Sequence, residues 1–157
     1  MTPQNLPALL GPIYLAAVAW PLTRIDLRER RLPNRLVLPA LAITLFGQLL
    51  AVLCSAPASK LLVALACATC AFIGGLLLNR FAGLGMGDVK LIAAITFALA
   101  WFSPFAPLVA LTAGLVAATV SVLVMLLLRK TSMGQSIALG PYLLVGFLFS
   151  LIGLGWS

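Results

Sequence analysis

Six apolar runs, separated only by short polar breaks, constrain this chain more than any single motif. They extend from Leu6 to Leu22, Leu36 to Leu53, Leu61 to Leu78, Val89 to Phe102, Leu108 to Leu128 and Ile137 to Trp156. Proline, glycine, serine or charge punctuates each boundary. Hydrophobic residues fill 63% of the 157 positions and charged residues only 8%. A soluble domain of this size needs a polar exterior that such a composition cannot supply. Runs of this kind match the ~20 residues that a helix needs to cross hydrocarbon. The expected fold is all-α: a polytopic membrane protein with six transmembrane helices, forming a single membrane-embedded domain over residues 1–157.

The net charge is +7. The basic residues gather between apolar runs, as topology signals do, rather than in a nucleic-acid-binding patch, so no nucleic-acid partner is expected. No basic residue precedes the first run and a basic cluster follows it, the reverse of a secretory signal. That run reads as a first membrane helix with its N-terminus outside. Six spans then place Arg24, Arg28, Arg30, Arg31, Arg35, Arg80, Lys90, Arg129 and Lys130 in the cytoplasm, and only Lys60 outside. Trp101 and Trp156 fall at outer span ends and Trp20 at an inner end, where aromatic belts sit. The lipid bilayer is thus the first partner the sequence implies.

The chain has no histidine, which removes a histidine base, a Ser-His dyad and the HExxH metal motif together. Cys67 and Cys70 have CxxC spacing inside an apolar run, but two thiols do not complete a four-ligand zinc site. With Cys54 they read as small packing residues. No metal or other cofactor is expected.

Only three acidic residues occur, and a carboxylate near hydrocarbon is a functional candidate by default. Asp88 closes Gly85-Met86-Gly87-Asp88, at the start of the fourth run. Glycines there admit close approach of backbone or substrate, and a helix N-terminus favours a negative charge. The plain alternative is a glycine-rich turn with an aspartate N-cap. Asp26 follows the first run, a few residues before Leu32-Pro33-Asn34. Its plain alternative is a solvated loop carboxylate, like Glu29, with Pro33 and Asn34 simply starting the second helix. The topology puts both Asp26 and Asp88 on the cytoplasmic face. Two carboxylates about 4 Å apart repel by about 4 kcal/mol at an effective dielectric of ~20, so such a pair shares one proton. The ionised member takes a proton from water and the protonated member polarises a peptide carbonyl. That is general acid–base hydrolysis without a nucleophile, metal or histidine.

These motifs resemble the prepilin peptidase family, membrane aspartic proteases that process type IV prepilin-like proteins. The family pattern is an aspartate shortly before an Ile-Pro-Asn-like element, then Gly-x-Gly-Asp and a hydrophobic-Lys-hydrophobic run. Here these are Asp26 before Leu32-Pro33-Asn34, with leucine in place of isoleucine, and Gly85-Met86-Gly87-Asp88-Val89-Lys90-Leu91. Leu139-Gly140-Pro141-Tyr142 is similar to the family's Gly-Pro element in the last span. The resemblance runs over essentially the whole chain. It implies that Asp26 and Asp88 are the catalytic pair and that Gly85 and Gly87 shape the loop presenting Asp88. It also implies prepilin-like substrates, with a polar or basic leader ending in glycine ahead of an apolar helix. Bifunctional relatives carry a cytoplasmic insertion with paired CxxC motifs and also methylate the product. The 24–35 loop is too short for it, so the chain resembles the minimal, cleavage-only form of tight-adherence pilus systems, in the bacterial inner membrane.

Lys90 is expected either to orient substrate or to snorkel to the surface. Gly140-Pro141 is expected either to kink the last helix around substrate or to be ordinary membrane-helix composition. Two other functions use the same residues. A small transporter or channel could place Asp26 and Asp88 in a proton relay. Signal-peptide-peptidase-like enzymes share Gly-x-Gly-Asp, but they set the first aspartate deep in a helix beside a tyrosine, whereas Ile25 and Leu27 flank Asp26.

Overall fold

The computed structural model describes residues 3–29, 32–128 and 139–153. A 3-10 helix, Pro3–Leu9, leads into α1 (Leu10–Glu29). Then follow α2 (Asn34–Leu53), α3 (Ala58–Ala82), α4 (Met86–Ala100), α5 (Ala106–Leu127) and α6 (Gly140–Gly153). No strand occurs among the described residues. Helices are the natural answer to this sequence, because hydrocarbon offers no partner for backbone N–H and C=O groups. The breaks fall where the backbone demands them. Pro33 caps α2 and Pro57 caps α3, both with extended backbone. Gly83 ends α3 at φ 70°, a left-handed conformation that glycine adopts without strain.

The protein is an all-helical, multi-pass membrane protein. Four helical stretches are long and apolar enough to cross a bilayer: Pro3–Glu29, Asn34–Leu53, Ala58–Ala82 and Ala106–Leu127. The helices α4 and α6 are shorter, at 15 and 14 residues. Helix α4 is enclosed by its neighbours, with Leu91, Ala94, Ile95, Ala98 and Leu99 all at 0% exposure. Helices α3 and α5 face outward, with Leu62, Leu77, Val116 and Leu123 more than half exposed and suited to lipid.

Inside a bilayer the apolar surroundings give helices little reason to associate, so close packing carries the contact. Glycines make that possible here. A Cβ at Gly146 would come within 2.1 Å of the Ala110 carbonyl oxygen, so α6 crosses α5 almost backbone to backbone. Ser150 Oγ donates to the Ala106 carbonyl at 2.9 Å across the same crossing. Gly75 of α3 makes room for the Val89 side chain of α4, which a Cβ there would meet at 2.9 Å. At the far end from the α1–α2 connection, Gln48 Nε2 donates to the Phe97 carbonyl at 2.9 Å.

Trp101 departs from the expected aromatic belt. It is 1% exposed, packed with Ala8, Ala51 and Ala56. The Pro3–Leu9 segment and the end of α2 cover it. Trp20 is 72% exposed, as a belt residue should be, and Trp156 lies outside the described residues. Of the cysteines, Cys67 packs against the Ala64–Phe97–Ala100 cluster as expected, whereas Cys54 and Cys70 are exposed.

Candidate active site

The end of α1 and the starts of α2, α4 and α6 meet at one end of the bundle. Between them lies a cleft of about 320 Å³. Asp26, Leu32 and Asn34 line it from the α1–α2 side, and Gly85, Met86, Gly87, Asp88 and Lys90 from the start of α4. The two aspartates singled out by the sequence, 62 positions apart by their numbers 26 and 88, therefore face one space. Glu29, the third acid, is exposed and does not line the cleft.

Asp26 is not a loop residue. It sits within α1 and is 4% exposed. Nothing from Thr23 to Glu29 is a glycine or proline, so the helix runs on past the apolar stretch, and Pro33 forces the chain out of helical geometry. A carboxylate near a helix C-terminus faces the negative end of the macrodipole. The start of α6 offsets this, because Gly140 donates its backbone N–H to Asp26 Oδ2 at 3.1 Å. That N–H is one of the helix-start donors with no partner inside its own helix.

Asp88 lies in the first turn of α4, ahead of the apolar run from Val89. Gly85, not Asp88, occupies the N-cap position. The Asp88 carboxylate leans back over that glycine: a Cβ at Gly85 would lie 2.9 Å from Asp88 Oδ2. Asp88 Oδ1 is buried and meets no hydrogen-bond donor among the described residues. Burial first, and the charge of Asp26 second, together push the Asp88 carboxyl up to about 6. The two groups are thus electrostatically coupled across the cleft.

Gly87 and Gly140 give way to one side chain. A Cβ at Gly87 would come within 2.8 Å of Leu32 Cβ, and one at Gly140 within 3.3 Å of Leu32 Cδ2 and 2.6 Å of Asp26 Oδ2. Gly140 and Pro141 begin the described part of the last helix, and the expected stretch from Ile137 to Ala138 lies outside the described residues. Lys90 has a specific partner besides solvent: its Nζ donates to Asn34 Oδ1 at 2.9 Å, tying the start of α4 to the start of α2. Pro33, beside Asn34, caps α2.

Sequence reasoning missed Asn79. Its Nδ2 donates to the Leu84 carbonyl and steadies the turn that leads to Gly85. The available signal was a lone amide at the end of an apolar run, a few residues before the glycine motif.

A family model for the type IV leader peptidase family matches residues 13–123, more than half of the chain. The chain belongs to the type IV leader peptidase family. The matched stretch contains Asp26, Leu32-Pro33-Asn34 and Gly85-Met86-Gly87-Asp88. It ends before Gly140 and Pro141, so their place at the site of this leader peptidase rests on the geometry. No curated protein and no solved structure matches the chain.

Proposed function

We propose that this family member is an aspartyl endopeptidase that removes the leader of prepilin-like substrates, with Asp26 and Asp88 as its catalytic pair. The carrying observation is that two carboxylates from different helices line one cleft and one perturbs the other. Asp88 holds the pair's shared proton and Asp26 acts as base. Water attacks the scissile carbonyl carbon while Asp26 takes its proton. Asp88 gives its proton to the carbonyl oxygen, which stabilises the developing charge. The tetrahedral intermediate then collapses: the C–N bond breaks, the amine leaves with the proton held by Asp26, and one hydroxyl of the intermediate returns its proton to Asp88 as the carboxylic acid forms, which restores the pair.

The Gly140 N–H fixes Asp26, and the Lys90–Asn34 bond holds the starts of α4 and α2 in register. Gly85 and Gly87 let the first turn of α4 approach the substrate. The basic residues around this end, exposed Arg24, Arg28, Arg35 and Arg80, support a cytoplasmic active site in a bacterial inner membrane. A substrate helix stays in lipid while its polar leader reaches the cleft from the aqueous side. The connection between Glu29 and Asn34 is too short for a methylating insertion, which supports a cleavage-only enzyme of the tight-adherence type. Membership of a peptidase family weighs against the proton-relay transporter.

The test is to incubate the purified chain in detergent with a prepilin-like protein and weigh the products. Loss of the leader by the wild type, and none with Asp26→Asn or Asp88→Asn, is the expected result. An intact substrate with the wild type would overturn the reading.

A further inference from the structure

We propose that Leu32 is the specificity-determining residue of this site, limiting the size of the substrate residue on the amino side of the scissile bond. The inference rests on the peptidase reading above. Its basis is a juxtaposition of two backbones around one side chain. Leu32 lies between α1 and α2, lines the cleft, and is only 9% exposed. Gly87 of α4 and Gly140 of α6 press on it from two sides, each so close that a Cβ would meet it at 2.8 and 3.3 Å respectively.

This placement fixes the wall. A leucine held between two closely approaching backbones cannot turn aside when a ligand enters, because interiors at this density yield little. The other large apolar lining group, Met86, is 46% exposed and unbranched, so it can move. Leu32 also sits beside the reacting groups. Gly140 donates to Asp26, and a Cβ there would also meet Leu32; a Cβ at Gly87, which immediately precedes Asp88, would meet Leu32 as well. A peptide bond brought to both carboxylates must pass its flanking residue against Leu32.

The side of the bond follows from the topology. Leu32 belongs to a connection between helices, not to a span. The carboxyl side of the proposed substrate is an apolar helix that remains among the spans. The residue meeting Leu32 is therefore on the leader side, and it must be small. The two glycines thus serve the wall as well as the approach of the carboxylates.

The experiment compares cleavage of three prepilin-like substrates that carry glycine, alanine or valine immediately before the scissile bond. Each is incubated with the full chain in detergent as wild type, Leu32→Ala and Leu32→Val. The wild type should favour glycine strongly. Leu32→Ala should raise kcat/KM for the alanine substrate relative to glycine by about tenfold or more, in line with a few methylenes in an apolar pocket. Leu32→Val should shift the ratio the same way by less. A structural role alone would lower all substrates in proportion and leave the ratio unchanged. An unchanged ratio in both variants, or both variants inactive on every substrate, would overturn the assignment. A wild type that leaves even the glycine substrate intact would instead strike down the peptidase reading, and this inference with it.

Discussion

Gly140 donates its backbone N–H to Asp26 Oδ2 at 3.1 Å, joining the start of the last helix to the end of the first. The bond is made by a group that every residue except proline has, yet the position tolerates no side chain. A Cβ at Gly140 would lie 2.6 Å from Asp26 Oδ2 and 3.2 Å from its Cγ. Gly140→Ala must therefore displace the carboxylate or the start of α6. A misplacement near 1 Å costs about a hundredfold in rate when the displaced group does the chemistry. Gly140→Ala should lower kcat by about that factor and change KM far less, as steady-state kinetics on a prepilin-like substrate would record. A variant with wild-type kcat would show that Gly140 does not position Asp26.

Asp26 and Asp88 should behave as one unit. Asp26→Asn and Asp88→Asn nearly keep shape but remove the proposed base or the proposed proton donor. Each should reduce cleavage below detection with little loss of membrane insertion, and the double variant should be no worse than either single one. Glu29→Gln, in the same basic region but exposed and away from the cleft, should stay active. Product mass and membrane-fraction yield measure both effects. Near-normal cleavage by Asp26→Asn, with loss in Glu29→Gln, would move the pair to Glu29 and Asp88.

The pH profile follows from the raised Asp88 carboxyl. It stays protonated up to about 6, beyond the usual carboxylate range, because burial and then the Asp26 charge oppose ionisation. In the proposed mechanism its proton is needed for turnover, so kcat/KM should fall as pH rises through that value. The folded protein also binds this proton where the unfolded chain has lost it. Stability should therefore decline over the same rise, from the ordinary carboxylate range to about 6. A kcat/KM flat across about pH 5 to 8 would remove Asp88 as the proton donor.

Several of these relationships were legible in the sequence and others were not, for physical reasons. Apolar runs between prolines and glycines announced the helices, and the rarity of acids announced Asp26 and Asp88. A polar stretch looks like a loop in sequence, yet α1 carries on through Asp26 to Glu29, with no glycine or proline from Thr23 to Glu29 to stop it. The partner of Asp26 was hidden, since a backbone N–H 114 positions away leaves no side-chain signature. Trp101 matched an interfacial pattern, but burial depends on what covers a surface, here the Pro3–Leu9 segment. The bond from Lys90 to Asn34 depends on how α2 and α4 meet, which neither the motif nor a snorkelling pattern encodes.

The orientation of the cleft gives the last expectation. Arg24, Arg28, Arg35 and Arg80 are exposed at the end of the bundle that holds Asp26 and Asp88, whereas Lys60 lies near the start of α3 at the opposite end. Basic residues are retained on the cytoplasmic side, so the cleft should open there. Single cysteines can report this once Cys54, Cys67 and Cys70, which are all unpaired, are replaced by alanine. In intact cells a membrane-impermeant maleimide should label Lys60→Cys readily. Arg28→Cys should react only after the membrane is permeabilised. The active-site end would then share a compartment with newly made substrates whose leaders have not crossed the bilayer. Labelling of Arg28→Cys in intact cells, with protection of Lys60→Cys, would invert the protein and place the carboxylates on the wrong side for a leader that stays inside.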